Sequence, residues 1–512
     1  MLTVLRSGFV VLPNTCHRHC NCHRYFLMSP RFYITTTIPY VNADPHIGFA
    51  LEIVQADIIA RYKKLAGFDV FFNTGTDEHG VKVYRKALER GVSPQVYTDE
   101  YAEKFKKILA PLGISENVNF IRTTDPHHVH AAQEFWKRCA NAGDIYKKNY
   151  KIKYCVGCEL EKTEQEIENG HCPVHPNLKL EVLEEENYFF RLSKYTERLL
   201  KLFDSGTFVL PDFRLNEIRS LIKEKGLEDF SASRLKEKMP WGVAVPGDEK
   251  HVMYVWFDAF VNYISAIGWP DDMKKFEKWW PVVQFAGKDQ VRQQAVMWQA
   301  MLMSARLPPS KQIVIHGFIT SGGEKMSKSL GNVIDPLFLA REYGTDALRF
   351  YLARHVHPFE DSDFTMDKLK EAYNANLANG LGNFVARVMK LSEQYINDVQ
   401  PHIAFFDFQE LRREVSSEKL TRYFRALDSF HINSAIEIIW EEISFGDELM
   451  QKEKMYERLK KEGDASSEFA KNFLQRLWRI AVMLEPFMPD TSDSIKRTIK
   501  INKKPESLFL RK

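Results

Sequence analysis

A strand, a helix and a second strand follow one another near the start of the sequence, and this order strongly constrains the fold. Residues 32–38 are β-branched and aromatic, which predicts a strand that Pro39 ends. Apolar residues then recur at three- and four-residue steps over residues 47–65, which predicts a helix. Residues 68–72 form a second short strand. A βαβ unit implies a parallel sheet covered by helices, so we predict an α/β fold.

Three cysteines and a histidine form a spaced group further along the chain. Two residues lie between Cys155 and Cys158 and two lie between Cys172 and His175, and 13 residues separate the two pairs. This spacing fits a structural zinc site in which four protein ligands complete a tetrahedron. His171 is the one alternative ligand. We therefore predict one structural zinc ion.

Composition divides the chain into segments. At roughly 150 residues per domain, 512 residues suggest about three domains. We predict a Rossmann-like parallel sheet that is split by the zinc-binding insertion and followed by an all-α domain. Strands resume after the insertion at 251–256, and the sequence is almost wholly helical from about residue 345. The predicted segments are 28–145 for the first half of the catalytic domain, 146–240 for the insertion with its zinc module at 149–183, 241–345 for the second half, and 346–512 for the helical domain.

The first 27 residues stand apart from the rest. They contain Arg6, Arg18 and Arg24 and no acidic residue, a composition found in organellar transit peptides. They have little serine and no amphipathic period, so we interpret 1–27 as a dispensable extension, with Met28 as an alternative start. This predicts a cytoplasmic protein, or a mitochondrial or plastid one if 1–27 direct transport.

The overall composition excludes several classes of protein. Apolar residues make up 44% and charged residues 27%, which argues against a disordered chain. No apolar run approaches the roughly 18 residues that a membrane-spanning helix needs, so we predict no membrane association. The net charge of +3 is too small to indicate nucleic-acid binding by itself.

Three loop motifs carry chemistry. His46 and Gly48 lie where a helix begins after a strand, and free N–H groups at such a position bind phosphate. Two lysines in the segment 325–329 could neutralise charge on a transferring phosphoryl group. Asp77 follows a strand at the sheet edge where ligands bind and could hold an ammonium group. The alternatives are an exposed histidine, a solvated basic turn and a helix-capping aspartate.

These motifs, in this order, resemble the class I aminoacyl-tRNA synthetases, and within them the methionyl family. Residues 46–49 resemble the HIGH signature, residues 325–329 match KMSKS, and the cysteine group resembles the single zinc knuckle of bacterial-type enzymes. The zinc pattern, residues 255–259 and the helical C-terminal region together indicate methionine. The resemblance runs from about residue 31 to the end of the chain.

The resemblance implies ATP-dependent ligation of methionine to tRNA(Met), including the initiator tRNA, through a methionyl-adenylate, with Mg²⁺ accompanying ATP. It implies His46, Lys325 and Lys328 as catalytic residues. The implied ATP-binding residues are His46, Gly48, Phe49, Gly287, Asp289 and Lys328. The implied methionine-binding residues are Ile38, Tyr40, Asp77, Arg234, Trp256, Ala259, Tyr263, Gln290 and Gln294. Asn383, Arg387 and Tyr456 match positions that read the anticodon.

Several positions depart from the family pattern. Phe49 replaces the second histidine of HIGH, Gln290 stands where an apolar residue is common, and Gln294 stands where histidine is common. We interpret these as a variant methionine pocket. Because the chain ends soon after the anticodon-binding helices, we expect a monomer.

Two other functions stay open at this point. The departures would also suit a catalytically silent tRNA-binding paralogue, although such a protein would not need the lysine loop. A synthetase for another amino acid is the second alternative. Cysteine enzymes place zinc in the amino-acid pocket, whereas we expect the ligands here to lie away from Trp256 and Asp77. Synthetases for leucine, isoleucine or valine carry an editing insertion that is much longer than the insertion predicted here.

Overall fold

A six-stranded parallel sheet forms the centre of the chain. A computed structural model describes residues 29–162, 166–204, 206–326, 332–413, 417–452 and 463–512. The strands in chain order are Arg31–Thr35 (β1), Asp69–Thr76 (β2), Asn119–Arg122 (β3), Ile145–Cys155 (β4), Leu160–Lys162 (β5), Glu181–Phe190 (β6), Val209–Leu210 (β7), Phe230–Ser231 (β8), Ser233–Leu235 (β9), Ala244–Val245 (β10), Asp248–Met253 (β11), Val283–Gly287 (β12), Gln312–His316 (β13), Ile319–Ser321 (β14), Glu324–Lys325 (β15) and Ser362–Phe364 (β16).

The order of the central sheet is β3-β2-β1-β12-β13-β7, and every neighbouring pair is parallel. β2 and β3 lie on one side of β1, whereas β12 and β13 lie on the other side. The two halves of the sheet meet where Ile34 of β1 pairs with Val283 of β12. Loops leaving the carboxyl ends of strands diverge at such a switch point and leave a crevice for a ligand. The predicted α/β class with a parallel sheet is confirmed.

Helices cover both faces of this sheet and form the C-terminal region. They are Ile47–Leu65, Val81–Glu89, Pro94–Lys107, Pro126–Asn141, Thr196–Phe203, Asp212–Lys225, Val255–Ala259, Asn262–Ser265, Met273–Trp279, Trp298–Ser304, Pro336–Tyr343, Thr345–Arg354, Met366–Ala372, Asn383–Tyr395, Phe408–Arg413, Glu418–Asp428, Ile432–Lys452, Gly463–Leu484 and Pro489–Lys500, with short 3-10 turns at Leu192–Tyr195 and Lys288–Gln290 and π-helical turns at Gln293–Met297 and Tyr373–Gly382. Among the described residues, no helix is both long and apolar enough to cross a membrane.

Alternation along β1 divides the core into two layers. Phe32 and Ile34 pack with the helix Ile47–Leu65 and with C-terminal helices, whereas Tyr33 packs on the opposite face of the sheet. Successive side chains of a strand point to opposite faces, so the central strands are apolar on both sides.

The insertion is built around an antiparallel sheet of order β5-β4-β6-β8. β4 and β6 pair from Ile145 with Phe190 to Tyr154 with Glu181, and the cysteine group lies at the far end of this long ribbon. The two-residue strand β7 also comes from the segment 146–240, yet it pairs with β13 at the edge of the central sheet.

One sequence-based assignment of secondary structure is wrong. The strand predicted at 251–256 ends at Met253, and Val255–Ala259 is helical. Tyr254 and Phe257 are buried there, and burial favours apolar residues in either conformation. The region after residue 345 is almost wholly helical, as predicted, and its one short strand among the described residues is β16, which pairs with β14. That pairing joins distant segments and leaves no local signal.

Candidate active site

One cavity of about 170 Å³ opens at the switch point of the central sheet. Residues from the loop after β1, the end of β2, the helices after β11 and the turn after β12 line its wall. Eight of the nine predicted methionine-binding residues are among them: Ile38, Tyr40, Asp77, Trp256, Ala259, Tyr263, Gln290 and Gln294.

Asp77 lies directly after β2, and its backbone is fixed on both sides. Its N–H donates to the Pro39 carbonyl at 2.9 Å, and its carbonyl accepts from the Val41 N–H at 3.1 Å. Its buried Oδ1 has no hydrogen-bond partner in the described part of the chain. Burial, with the nearby carboxylates of Asp258, Glu159 and Glu78, raises the pKa of Asp77 well above its ordinary value. A bound cation would reverse this effect and restore the carboxylate.

Asp258 shows the opposite behaviour a short distance away. Its carboxylate contacts His79 Nδ1 at 2.5 Å and His128 Nε2 at 2.9 Å. Burial alone would raise the pKa of Asp258, but the two imidazoles lower it to about 2. Asp258 is therefore ionised and held by its histidines and does not line the cavity, whereas Asp77 does.

The two glutamines on the far side of the cavity belong to a buried amide network. Gln294 Nε2 donates to the Tyr263 hydroxyl at 2.8 Å and to Gln290 Oε1 at 3.3 Å, and Gln294 Oε1 accepts from Gln284 at 3.0 Å. Gln294 lies in the π-helical turn Gln293–Met297, and such turns are frequent at functional sites. The network fixes the orientation of both amides in the cavity wall.

Arg234 is the ninth predicted residue of this set, and it does not line the cavity. It is buried in β9, where Nη1 donates to Ser231 Oγ at 2.8 Å and to the Ser233 carbonyl at 2.7 Å. Its guanidinium also lies over the ring of Tyr254, 4.5 Å from the centroid. The resemblance to the family implies that Arg234 orients Asp77, and this role stays a prediction.

His46 is the N-cap of the helix Ile47–Leu65, and its Nδ1 accepts a hydrogen bond from the Gly48 N–H at 3.0 Å. A Cβ atom at Gly48 would lie 2.8 Å from His46 Cε1, so glycine is required for this capping geometry. The Ile47 N–H donates to the Ile334 carbonyl at 3.1 Å and joins the helix start to the segment after the lysine motif. The ring of Phe49 packs edge-on against Phe105.

Gly287 ends β12, and Asp289 lies in the 3-10 turn that follows. A Cβ atom at Gly287 would lie 2.9 Å from Asp289 Oδ1, so the glycine lets this carboxylate fold back against the strand end. Lys325 lies in β15, which pairs with β14. Lys328 and Tyr456 lie outside the described residues, as does the extension 1–27.

The predicted metal ligands come together. Cys158 Sγ lies 3.5 Å from Cys172 Sγ and 3.2 Å from His175 Nδ1, and the four ligand atoms, with Cys155, all lie within 4.8 Å of one another. Zn–S bonds of about 2.3 Å in a tetrahedron place sulfurs about 3.8 Å apart, so the cluster fits this geometry. His171 is exposed and its Nδ1 contacts the Asn169 carbonyl instead.

The cluster touches the cavity, contrary to the expectation that it would lie away from Trp256 and Asp77. Cys158 and Glu159 are both part of the cavity wall. Tyr40 donates to Glu159 Oε1 at 3.3 Å, and the Lys82 N–H donates to the same atom at 3.0 Å. The long β4–β6 ribbon carries the knuckle to the pocket.

Asn383 and Arg387 lie one turn apart on the helix Asn383–Tyr395. Asn383 is exposed, and Arg387 Nη2 forms an ion pair with Asp447 at 3.1 Å. Burial raises the pKa of Asp447, although Arg387 opposes this shift. Both side chains are accessible at the surface of the C-terminal helices, remote in sequence from the cavity.

Sequence reasoning missed several residues of the cavity wall, among them Thr37, Lys82 and Glu159. Thr37 directly precedes Ile38, and Glu159 directly follows a metal ligand, so adjacency to assigned residues was the available signal. Lys82 had none.

Comparison with known proteins gives a consistent family assignment. The family model described as tRNA synthetases class I (M) matches residues 32–179 and 161–389. The methionine–tRNA ligase of Thermotoga maritima is 44% identical over 490 residues, which cover 94% of this chain and 77% of that protein. The ligase of Thermosynechococcus vestitus is 39% identical over 478 residues, 91% of this chain and 90% of that protein. The structure of Mycobacterium tuberculosis methionyl-tRNA synthetase in complex with methionyl-adenylate superimposes with a TM-score of 0.84 and 34% identity, over 94% of this chain and 97% of that one.

Proposed function

The chain belongs to the class I methionine–tRNA ligases, and on this premise we propose that it activates methionine with ATP and transfers the methionyl group to tRNA(Met). In the first step a methionine carboxylate oxygen attacks the α-phosphorus of ATP, and pyrophosphate leaves. In the second step a hydroxyl of the terminal tRNA ribose attacks the acyl carbon, and AMP leaves. The products serve initiation and elongation of translation.

The observation that carries this proposal is the combination of Asp77 and the aromatic wall in one small cavity. An ammonium group beside Asp77 Oδ1 would give this buried oxygen a hydrogen-bond donor and a compensating charge. A thioether packs favourably against aromatic rings, and Trp256 and Tyr263 supply them. Methionine presents both groups at once.

The nucleotide would lie beside this cavity, at the carboxyl ends of β1 and β12. We propose His46 and Gly48 for the triphosphate, with Lys325 and Lys328 neutralising charge as pyrophosphate departs. Gly287 and Asp289 would hold the ribose. Phe49 would contribute packing against Phe105 rather than the polar contact of a second histidine.

Two metals accompany this proposal. A structural zinc ion would be held by Cys155, Cys158, Cys172 and His175, whose donor atoms satisfy its coordination. Mg²⁺ would bind together with ATP, as it does for nucleoside triphosphates in general. The zinc ion would stabilise the knuckle and would leave the chemical step to the side chains of the pocket.

The tRNA would contact the C-terminal helices through Asn383 and Arg387, whose amide and guanidinium groups can hydrogen-bond unstacked loop bases. Tyr456 completes the predicted anticodon set. The monomeric state, the cytoplasmic location and the domain boundaries stay predictions.

ATP–pyrophosphate exchange by the full chain, with methionine, leucine, isoleucine and cysteine tested in parallel, examines the proposal. We expect exchange with methionine alone. Exchange with a different amino acid would identify that amino acid as the substrate in place of methionine. Specific tRNA(Met) binding without any exchange would favour the catalytically silent paralogue. Aminoacylation of a tRNA(Met) transcript tests the second step, and a transcript with an altered anticodon is its control.

A further inference from the structure

A buried contact between the Glu52 carboxyl group and the His316 imidazole lies behind the methionine pocket, and no step above uses it. Glu52 belongs to the helix Ile47–Leu65, whereas His316 ends β13. His316 Nε2 lies 2.8 Å from Glu52 Oε2, and both side chains are at most 10% exposed. Ionisable side chains buried to this degree are uncommon unless they are paired.

Both ring nitrogens of His316 face groups that accept hydrogen bonds. Nδ1 lies 2.8 Å from the Gly317 carbonyl oxygen, which can only accept, so Nδ1 carries a proton. The Glu52 carboxyl group receives two further donors at Oε1, the Thr37 N–H and the Thr37 hydroxyl, each at 2.6 Å. Two donors on one oxygen favour the ionised carboxylate, and its other oxygen then accepts a hydrogen bond from the Nε2–H group of His316.

The pair is connected to both predicted substrate sites. Thr37 lines the methionine cavity and is held there through Glu52. On the other side, a Cβ atom at Gly287 would lie 3.7 Å from His316 Cε1, so the imidazole ring borders the predicted ribose site. His316 therefore lies between the wall of the predicted methionine pocket and the predicted ribose site.

We propose that His316 is a positioning residue, present as an imidazolium ion, that fixes Glu52 and thereby sets the position of the Thr37 wall relative to the ribose site. The inference rests on the proposed function, because it assigns those two sites to methionine and ATP. It adds a pair of residues to the machinery and gives each a defined protonation state.

The charged groups around His316 agree with this state. They are the carboxylate of Glu52 from the helix, the carboxylate of Asp289 from the turn after β12, and the Gly317 carbonyl. Burial alone would lower the pKa of His316, but these three groups together raise it above the ordinary value. The contribution of the pair to stability is present below the pKa of an unfolded histidine, about 6.5, and is lost as pH rises through the raised folded pKa.

The first test measures protonation directly. Long-range ¹H–¹⁵N correlation spectra of the full chain labelled with ¹⁵N-histidine report whether each ring nitrogen carries a proton, and comparison with H316Q assigns the signal. We expect both nitrogens of His316 to be protonated near neutral pH. A ring with one protonated nitrogen would overturn the proposal. This readout needs no activity, so it is separate from failure of the proposed function.

The second test separates positioning from stability. His251 is a matched control, because it contacts the Asp248 carboxylate at 3.1 Å and the Glu186 carbonyl at 3.0 Å and does not line the cavity. In pyrophosphate exchange we expect H316L to raise the KM for methionine about tenfold, and H316Q, which can still donate to Glu52, to raise it less. H251Q should lower thermal stability and leave the KM for methionine and the KM for ATP unchanged. Equal effects of H316L and H251Q on stability, with the KM for methionine unchanged in both, would overturn the positioning role.

Discussion

Asp77 has a buried Oδ1 with no hydrogen-bond partner among the residues that the structure describes, and three carboxylates lie near it. The charge of its side chain therefore depends on whether a ligand is bound. Its raised pKa means that the empty pocket disfavours the carboxylate, whereas a bound ammonium group favours it. Binding of methionine should therefore be coupled to release of a proton. The residue couples recognition of the amino group to its own ionisation.

Replacement of Asp77 with Asn should weaken methionine binding strongly. A hydrogen bond to a charged group contributes about 1.5–3 kcal/mol, so we expect the KM for methionine to rise about 10- to 100-fold in pyrophosphate exchange. The KM for ATP should change little. Asp99→Asn is a suitable control, because Asp99 is half exposed and its partners Arg122 and Gln95 lie outside the cavity wall. Equal KM values for the D77N and D99N variants would contradict the assignment.

Gly48 should be intolerant of even one added carbon. Gly48→Ala places a Cβ atom against the His46 ring, which must then leave its cap position. We expect kcat for pyrophosphate exchange to fall about tenfold or more, as when a preorganised transition-state contact is displaced. The KM for methionine is the internal reference, since His46 does not line that cavity. A normal kcat in G48A would remove His46 from the catalytic set.

Sequence alone placed the residues that belong to motifs and missed those that tertiary contacts bring in. Asp77 and Trp256 could be found because each belongs to a recognisable motif next to a strand. Lys82 enters the cavity because the chain after β2 turns back across it, and no local pattern encodes that turn. His316 ends β13 and its partner Glu52 lies 264 positions away in the sequence, so no local pattern indicates this contact.

At the scale of elements, the zinc knuckle and the pocket form one structural unit. Tyr254 donates to the Glu159 carbonyl at 2.6 Å, and Lys82 Nζ contacts the Gly157 carbonyl. Arg292 after β12 also contacts Glu166 of the insertion at 3.0 Å. The knuckle therefore closes one side of the cavity, and its order should affect methionine binding.

Loss of the knuckle metal should raise the KM for methionine. Because Cys158 and Glu159 line the cavity, disorder there removes part of its wall, and we expect at least a tenfold increase in C158S, by analogy with losses on removal of groups that orient a site. Metal content by elemental analysis and pyrophosphate exchange would be measured together. Cys139→Ala, at a buried cysteine outside the cluster, should keep its zinc. A C158S protein that loses zinc and keeps its KM would contradict the coupling.

The period of the apolar residues predicted individual helices and strands but not which of them pack together. The helix predicted at 47–65 is confirmed as Ile47–Leu65, because an apolar stripe with a three- to four-residue period has one stable solution. The ribbon of β4 and β6 shows only as a change in composition, and its path toward Trp256 depends on packing. This explains why the ligand spacing was correct while the location of the cluster was not.

At the scale of the whole molecule, one buried arginine joins the sheet domain to the C-terminal helices. Arg349 is fully buried and its Nη2 contacts Asp57 Oδ2 at 2.8 Å. It also donates to the carbonyls of Phe487 at 2.8 Å and Pro486 at 3.1 Å. The same side chain thus satisfies acceptors from both ends of the sequence.

Replacement of Arg349 with Leu should destabilise the whole chain. Asp57 stays buried and keeps one ion pair, with Arg61 at 2.7 Å, so the loss of its second cationic partner should cost up to about 3–5 kcal/mol of the free energy of unfolding measured in urea. Arg422→Leu, which breaks an exposed pair with Glu441, should cost about 1 kcal/mol or less. If both variants unfold at the same urea concentration, Arg349 does not join the two regions.

The same pair predicts how stability depends on pH. Burial alone would raise the pKa of Asp57, but Arg349, Arg61 and Ser115 lower it below its ordinary value. A lowered folded pKa gives stability that is present above the unfolded value of about 3.9 and is lost as pH falls through the folded value. We expect the wild-type chain to lose stability on acidification below about pH 4, and R349L to show a smaller loss. A pH dependence that is identical in the two proteins would contradict this.

The π-helical turn at Gln293–Met297 has a consequence for how the pocket can change over evolutionary time. A hydrogen bond from residue i to i+5 encloses one residue more than an α-helical turn, so the turn behaves as a single-residue insertion. Deleting one residue would restore an ordinary helix and leave Trp298–Ser304 in its place, while the segment before it would rotate and carry Gln294 away from Tyr263. Substrate preference at this wall could therefore shift by one codon gained or lost, without any change in the side chains that remain.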